Sequence, residues 1–215
     1  MFGITDLSTY IIGTIAIILL PGPNSMFCLT AASQFGVKAG YRAAAAIFVG
    51  DSLLMLATAL GAGSALKAHP TLFLIMKVGG GLYLAYIGAQ LLWAAAKKWV
   101  QKQPETTVEI RLKSSQHIFT RALTLSLSNP KAILFYLSFF VQFVDVTYPQ
   151  PLLTFLALGV ILQIISMLYL TMLIFAGIGL VHLFRRYHHV AAAATGTVGV
   201  AFMGFALKMW AASGV

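Results

Sequence analysis

Residues 16–29 read AIILLPGPNSMFCL, which places two prolines and a glycine inside a run otherwise apolar enough for a membrane helix. A proline within a helix removes a backbone donor and clashes with the preceding turn, at a cost of about 3 kcal/mol or more. Because Pro21 and Pro23 flank Gly22, the helix must break here. Hydrocarbon cannot satisfy the backbone groups that a break exposes, so breaks are tolerated only where protein or a water-filled cavity meets them. The stretch therefore predicts a broken helix that faces the interior of a membrane protein.

The composition of the whole chain indicates an all-α integral membrane protein. Of the 215 residues, 60% are hydrophobic and only 9% are charged, with a mean hydropathy of +0.90, whereas soluble domains carry about 25% charged residues. The apolar runs are longer than the roughly 9–11 residues of barrel strands and lack their alternation. The net charge of +9 comes mostly from short connections, a pattern typical of membrane topology. We therefore expect membrane lipids, and no nucleic acid, as surroundings.

Six apolar stretches are long enough to cross a bilayer, which takes roughly 20 residues. They cover residues 7–34, 41–66, 70–96, 117–144, 149–183 and 190–212. Lys and Arg cluster in the first, third and fifth connections, whereas the second has only Lys67 and the fourth has none. Because such clusters stay cytoplasmic, both termini are predicted to be periplasmic. The absence of a basic residue before Lys38 predicts that the first stretch is a retained span rather than a cleaved signal peptide.

The two halves of the chain share a pattern. The first span of each half is interrupted, at Pro21–Pro23 and at Asn129–Pro130. Glycines eight residues apart recur in the third and sixth spans, at Gly80 and Gly88 and at Gly196 and Gly204. Three spans per half give the halves opposite orientations, as in inverted-repeat transporters, whose interrupted helices form the substrate site. The predicted organisation is a three-helix repeat over 1–96, a cytoplasmic linker over 97–116 and a second three-helix repeat over 117–215.

The breaks themselves predict a receptor for a zwitterion. Pro23 and Pro130 suit the first position of a new helix. The amides of residues 24–28 and the positive end of the helix dipole can then hold a carboxylate, and Lys131 adds a full charge. The carbonyl groups that open before each break can hold an ammonium group or a cation. The alternative interpretation is a pair of proline kinks that serve only helix packing.

Asp51 is the other strong signal. It lies ten residues into the second span, about 15 Å from the end of that span, and therefore near the middle of the membrane. An ionisable residue at this depth costs about 2.5–3.5 kcal/mol and is a functional candidate by default. Asp51 could carry a proton or bind the ammonium group of a substrate. The alternative is a structural partner for Lys131 or for open backbone amides.

Other features narrow the class of protein. Gln163 and Ser166 share a helix face and predict a hydrogen bond between helices, while Asp145 is either a cap or part of a gate. A single cysteine, Cys28, excludes an internal disulfide. The spans lack the clustered ligands of a metal site, and the chain has no HExxH or GxSxG motif. The sequence predicts a transporter that is not an enzyme and needs no cofactor or metal; a transporter of another small solute or cation is the alternative.

Four segments resemble the LysE/RhtB superfamily of amino-acid exporters. They are LLPGPNSMF at 19–27, FVGDSLLM at 48–55, GGGLYLAYIG at 79–88 and LSLSNPKAILFYLSFFVQFVD at 125–145. The PGPN and NPKA motifs, in this order and at this separation, are specific to the family. Residues 129–143 most resemble its leucine-exporting branch. The resemblance covers nearly the whole chain except the polar segment 97–116.

The resemblance implies leucine efflux across the bacterial inner membrane, with methionine and other neutral amino acids as further substrates, driven by protons. We expect alternating access, with Asp51 as the proton-coupling residue and a leucine-like amino acid and protons as partners. Phe27, Phe135 and Tyr136 are expected to shape a pocket for the side chain. Because six short spans enclose little volume, a homodimer is the favoured assembly. The predicted substrate-binding residues are Pro21, Gly22, Pro23, Asn24, Ser25, Asp51, Asn129, Pro130 and Lys131.

Overall fold

The computed structural model describes residues 3–20, 22–68, 70–100, 112, 114–145, 147–186, 192–193, 196–197, 199–200, 202–204 and 206–207. Across these residues the long elements are all α-helices and no β-strand occurs, which confirms the predicted helical class. In chain order the helices are α1 (Leu7–Leu19), α2 (Pro23–Phe35), α3 (Val37–Ala68), α4 (Pro70–Val100), α5 (Ile118–Leu127), α6 (Pro130–Ser138) and α7 (Pro151–Arg186), with a short 3₁₀ helix at Phe140–Phe143.

The helices follow the predicted spans closely. The first predicted span is the pair α1 and α2, and the fourth is α5, α6 and the 3₁₀ helix, so both breaks lie where the sequence places them. Helices α3, α4 and α7 correspond to the second, third and fifth spans. The described residues of the sixth predicted span are also helical.

Several helices are long and apolar enough to cross a membrane. Among the described residues these are Val37–Ala62 of α3, Val78–Lys97 of α4 and Pro151–Ala176 of α7. Helices α1 and α2 are bent by 53° at their break and form a fourth candidate if they act as one span. The exposed side of α7 is a stripe at near-helical spacing of Leu156, Val160, Ile164, Leu168 and Phe175. Such an apolar outer face is expected of a helix surrounded by lipid.

The interior contains two hydrophobic cores of different composition. The first, here called the aromatic core, is built around stacked and edge-on rings contributed by α1, α6, the 3₁₀ helix and α7. Its rings are Tyr10, Phe135, Tyr136, Phe139, Phe140, Phe143, Phe155 and Phe202. The second, the alanine core, joins α2, the first part of α3, α5 and the second part of α7 through small side chains. Its alanines are Ala31, Ala32, Ala39, Ala43, Ala44, Ala46 and Ala122.

Helix α4 packs against α6 through a glycine. A Cβ atom added to Gly80 would lie 2.8 Å from the Cα of Ser138, whereas one added to the neighbouring Gly79 would meet nothing within 4 Å. Small residues let membrane helices approach closely, and here the approach fixes the second broken helix against α4.

The chain before α1 is also held in place, because Thr5 N–H donates to the carbonyl of Phe143 at 3.0 Å.

Candidate functional site

The first break separates α1 from α2 over three residues. Gly22 is extended and precedes Pro23, which occupies the first position of α2 and needs no hydrogen-bond acceptor there. The N–H of Gly22 donates to the Oγ of Ser25 at 3.3 Å. The first turn of α2 leaves its remaining amides without helical acceptors, which is the usual state of a helix N-terminus. Pro21 lies outside the described residues.

The second break has the same local chemistry with a side-chain cap. Asn129 precedes Pro130, the first residue of α6, and its Oδ1 accepts a hydrogen bond from the N–H of Lys131 at 3.1 Å. Asn129 is buried, so the cap supplies the amide with a partner that solvent would otherwise provide. Asn followed by Pro thus ends one helix and starts the next within two residues.

The side chain of Lys131 connects the two breaks. Its Nζ donates to the carbonyl of Leu20 at 2.9 Å and to the carbonyl of Ile17 at 3.1 Å, at the C-terminal end of α1. A helix C-terminus carries partial negative charge and unpaired carbonyl groups, so it is a favourable position for a cation. The sequence suggests that carbonyl groups before a break can hold the ammonium group of a ligand; at the first break the ammonium group present is that of Lys131.

Asp51 is buried on α3 and is hydrogen-bonded by side-chain hydroxyl groups. Ser126 Oγ donates to its Oδ1 at 2.9 Å, and the hydroxyl of Tyr136 also donates to the carboxylate. Ser126 in turn accepts from Nδ2 of Asn24 at 3.3 Å. Within the described part of the chain, Asp51 forms no ion pair with Lys131, so the alternative of a direct structural pair between them finds no support.

A cavity of about 90 Å³ lies between the aromatic and alanine cores and has room for several water molecules. It is lined by residues of both breaks and by Asp51. The polar part of its lining, here called the polar wall, carries a carboxylate and an ammonium group that do not bond to each other. It is formed by Gly22, Asn24, Ser25, Asp51, Asn129 and Lys131, with Ser166 and Tyr169 beside them. The apolar part of the lining, here called the apolar wall, consists of Ile17, Ile18, Leu20, Ile47, Ala132, Phe135, Leu162 and Leu170. Tyr136 also lines the cavity.

The structure thus brings most of the predicted site residues together. Pro23 and Pro130 shape the breaks but do not line the cavity. Among the aromatic residues expected to form the pocket, Phe135 and Tyr136 line the cavity, whereas Phe27 does not. Phe27 packs in the alanine core, because it lies on the side of α2 that faces α3 and α7.

Ser126 and Tyr169 are polar residues of the site that the sequence did not single out; Tyr169 lines the cavity, whereas Ser126 contacts lining residues without lining it. Ser126 is fully buried and bonds to two of the predicted residues, and Tyr169 is hydrogen-bonded to Ser25. The position of Ser126 three residues before Asn129 was a usable signal, because it puts the hydroxyl in the last turn before the break. Tyr169 had no signal beyond being a tyrosine in an apolar span.

The two polar residues of the fifth span have separate roles. Gln163 joins α7 to α3, since its Nε2 donates to the carbonyl of Phe48 at 2.9 Å and to Ser52 Oγ at 2.7 Å, as the prediction of an interhelical bond requires. Ser166 lines the cavity that holds Asp51 and Lys131 instead.

A second cavity of about 480 Å³ lies along the α3–α7 seam and is almost wholly apolar. It therefore offers no charged group to an amino acid.

The described residues contain no group of three or more His, Cys, Asp or Glu side chains that could hold a metal ion. The groups available to a ligand are hydroxyls, amides, one carboxylate, one ammonium group and an apolar surface. Such a set suits a small molecule that carries both charges and an apolar part.

Comparisons with known proteins give a consistent family. The model of the LysE type translocators matches residues 15–213. An uncharacterised membrane protein of Pseudomonas aeruginosa is 51% identical over 208 residues, covering 96% of this chain and 95% of its own. The leucine efflux proteins of Salmonella typhimurium and Klebsiella pneumoniae are 41% and 38% identical, each over 97% of this chain and 96% of its own. No solved structure matches significantly.

Proposed function

The chain belongs to the LysE type translocator family, and on that premise we propose that it exports leucine and other neutral hydrophobic amino acids across the bacterial inner membrane. The observation that carries the proposal is a cavity lined by both polar and apolar side chains, in which Asp51 and Lys131 are present but not paired. The names of the leucine efflux relatives support the same substrate class. Methionine is a second substrate, because its unbranched, flexible side chain can adapt to an irregular apolar surface.

The zwitterion is bound by opposite parts of the polar wall. The substrate carboxylate lies at the N-terminal turn of α2, near Asn24 and Ser25, where free amides and the helix dipole favour an anion. Lys131 adds positive charge from the other break. The ammonium group lies toward Asp51, and the aliphatic side chain contacts Ile47, Phe135 and the rest of the apolar wall.

Export is coupled to protons by alternating access. Asp51 takes up a proton or releases one as substrate leaves or enters, since a carboxyl group inside the membrane can change charge only by exchanging a proton. The cavity lies between the two cores, so each core would close one side of it. The alanine core separates more easily than the interlocked rings of the aromatic core, because small side chains bury less surface when helices move apart.

The architecture that goes with this mechanism is six spans in two inverted repeats, 1–96 and 117–215, joined by a cytoplasmic linker at 97–116. Both breaks begin their second helix with a proline at the first position, which supports a shared origin. The termini are then periplasmic, membrane lipids surround the apolar faces, and a homodimer is the assembly to test first.

An efflux assay tests the function. Cells loaded with a leucine-containing dipeptide are expected to raise external leucine faster when the protein is expressed than when it is absent, and added methionine should compete. Divalent and monovalent cations should not compete, because the polar wall lacks a cluster of carboxylates. External leucine that does not respond to expression would refute the proposal, and competition by a cation instead of methionine would favour the alternative substrate class.

A further inference from the structure

Ser126 is the point at which the first break, the second break and Asp51 meet. It lies in the last turn of α5, its backbone carbonyl accepts from the N–H of Asn129 at 3.2 Å, and its side chain is fully buried. Its Oγ donates to Asp51 Oδ1 at 2.9 Å and accepts from Asn24 Nδ2 at 3.3 Å. Among the described residues no other side chain bonds to both Asp51 and the N-terminal turn of α2.

The position of Ser126 is fixed by a glycine on the neighbouring helix. A Cβ atom added to Gly50 would lie 2.7 Å from Ser126 Oγ, so α3 admits the hydroxyl only because residue 50 has no side chain. The residue after that glycine is Asp51, which sets the short distance between carboxylate and hydroxyl. The arrangement is therefore determined by packing rather than by a flexible surface contact.

We propose that Ser126 is a positioning residue that passes the protonation state of Asp51 to Asn24, an inference that rests on the proposed function. A hydroxyl group has one proton and two lone pairs, so it can donate to Asp51 only while Asp51 accepts. When a proton that reaches the cavity as hydronium is transferred to Asp51 Oδ1, water is left behind and the new carboxyl proton is donated to Ser126 Oγ. Ser126 keeps its own proton and turns it away from Asp51.

Asn24 supplies the acceptor that this rotation requires. Its Oδ1 is buried and has no hydrogen-bond partner among the described residues, so this oxygen is available to accept a new hydrogen bond. When the amide turns over, Oδ1 accepts from Ser126 and Nδ2 moves to the position that Oδ1 held. Asn24 lines the cavity at the N-terminal turn of α2, so the change alters the donors available there to a carboxylate.

The other groups that face Asp51 do not provide this connection. Tyr136 and Lys131 approach from α6 and Tyr169 approaches from α7. Tyr136 bonds to Asp51 but lies in the aromatic core, away from α2. Lys131 bonds to the end of α1. Tyr169 bonds to Ser25 rather than to Asp51. The link from Asp51 to Asn24 therefore depends on the hydroxyl of Ser126.

The test uses the purified full-length protein in proteoliposomes with an internal pH indicator. A leucine gradient is expected to drive proton movement in the wild type, and Ser126→Ala should reduce that movement about tenfold, the effect of one hydrogen bond to a charged group. Leucine binding to Ser126→Ala, measured with labelled leucine, should change less than the proton movement and lose its dependence on pH. Ser128→Ala removes an exposed hydroxyl two residues away and should behave as the wild type.

The outcomes separate the two proposals. A wild type that transports leucine with protons, together with a Ser126→Ala variant of unchanged proton movement and pH profile, overturns the role of Ser126 alone. A wild type in which leucine moves no protons overturns both the coupling and this role. If Ser126→Ala does not reach the membrane, Ser126→Cys carries the test, because its thiol is a weak donor and should show the same loss.

Discussion

Asp51→Asn is expected to abolish proton-coupled leucine export while leaving the protein folded in the membrane. The asparagine keeps an oxygen acceptor for the hydroxyl of Ser126, which lies 2.9 Å from Asp51 Oδ1, so the packing between α3 and α5 should survive. It cannot take up or release a proton, so net export driven by a pH gradient should fall to the level of membranes without the protein. The measurement is initial leucine efflux at several imposed pH gradients, normalised to the amount of protein.

A second measurement on the same variant separates the two roles proposed for Asp51. Exchange of labelled for unlabelled leucine needs substrate binding but no net proton movement. If Asp51 carries the proton, Asp51→Asn should retain exchange; if Asp51 binds the substrate ammonium, exchange should be lost as well. Gradient-driven export at the wild-type rate would remove Asp51 from the mechanism.

Asp145→Asn is the matched control. Asp145 is half-exposed, two residues after the 3₁₀ helix, and it is not part of the cavity. Hydrogen bonds from the Thr147 side chain and then from its backbone N–H hold the pKa of Asp145 below its usual value. The carboxylate therefore stays charged at neutral pH and does not titrate during transport. This variant should export leucine as the wild type does.

Lys131→Met is expected to reduce both stability and transport. The substitution leaves the carbonyl groups of Ile17 and Leu20 without their ammonium partner, and each buried acceptor that loses its hydrogen bond costs about 1–3 kcal/mol. It also removes the positive charge of the polar wall, so leucine binding should weaken. Thermal unfolding in detergent, measured with and without leucine, should show a lower midpoint and a smaller stabilisation by leucine.

The matched control for this variant is Lys97→Met. Lys97 is exposed near the end of α4, where its Nζ lies 5.6 Å from the centre of the Trp93 ring, and exposed contacts of this kind contribute little. Its unfolding midpoint and leucine response should stay near those of the wild type. A Lys131→Met protein as stable and as active as Lys97→Met would show that the link between the two breaks is unimportant.

Much of the fold follows from the sequence because its causes are local. Pro23 and Pro130 each end one helix and begin the next whatever surrounds them, and the long apolar runs set the lengths of α3, α4 and α7. The chemistry of the polar wall is also local, since helix N-termini present amides wherever they form. These features can be predicted from the sequence without knowledge of how the helices pack.

The contacts between helices could not be predicted from the sequence. That the ammonium group of Lys131 reaches the carbonyls of Ile17 and Leu20, more than a hundred residues away, depends on how α1 packs against α6. The bond between Ser126 and Asp51 depends on the missing side chain of Gly50. Phe27 lies close to the first break in the sequence, but its side chain packs in the alanine core because of its position on the first turns of α2.

We propose that the two helix breaks together bind the charged groups of an amino acid, and an experimental structure of the protein with bound leucine is the sharpest test of this role. We expect leucine density in the cavity between residues 22–25 and 129–131, with the carboxylate at the N-terminal turn of α2, the ammonium group toward Asp51 and the side chain on the apolar wall. Density elsewhere, such as in the apolar cavity along the α3–α7 seam, or breaks separated with no ligand between them, would contradict it.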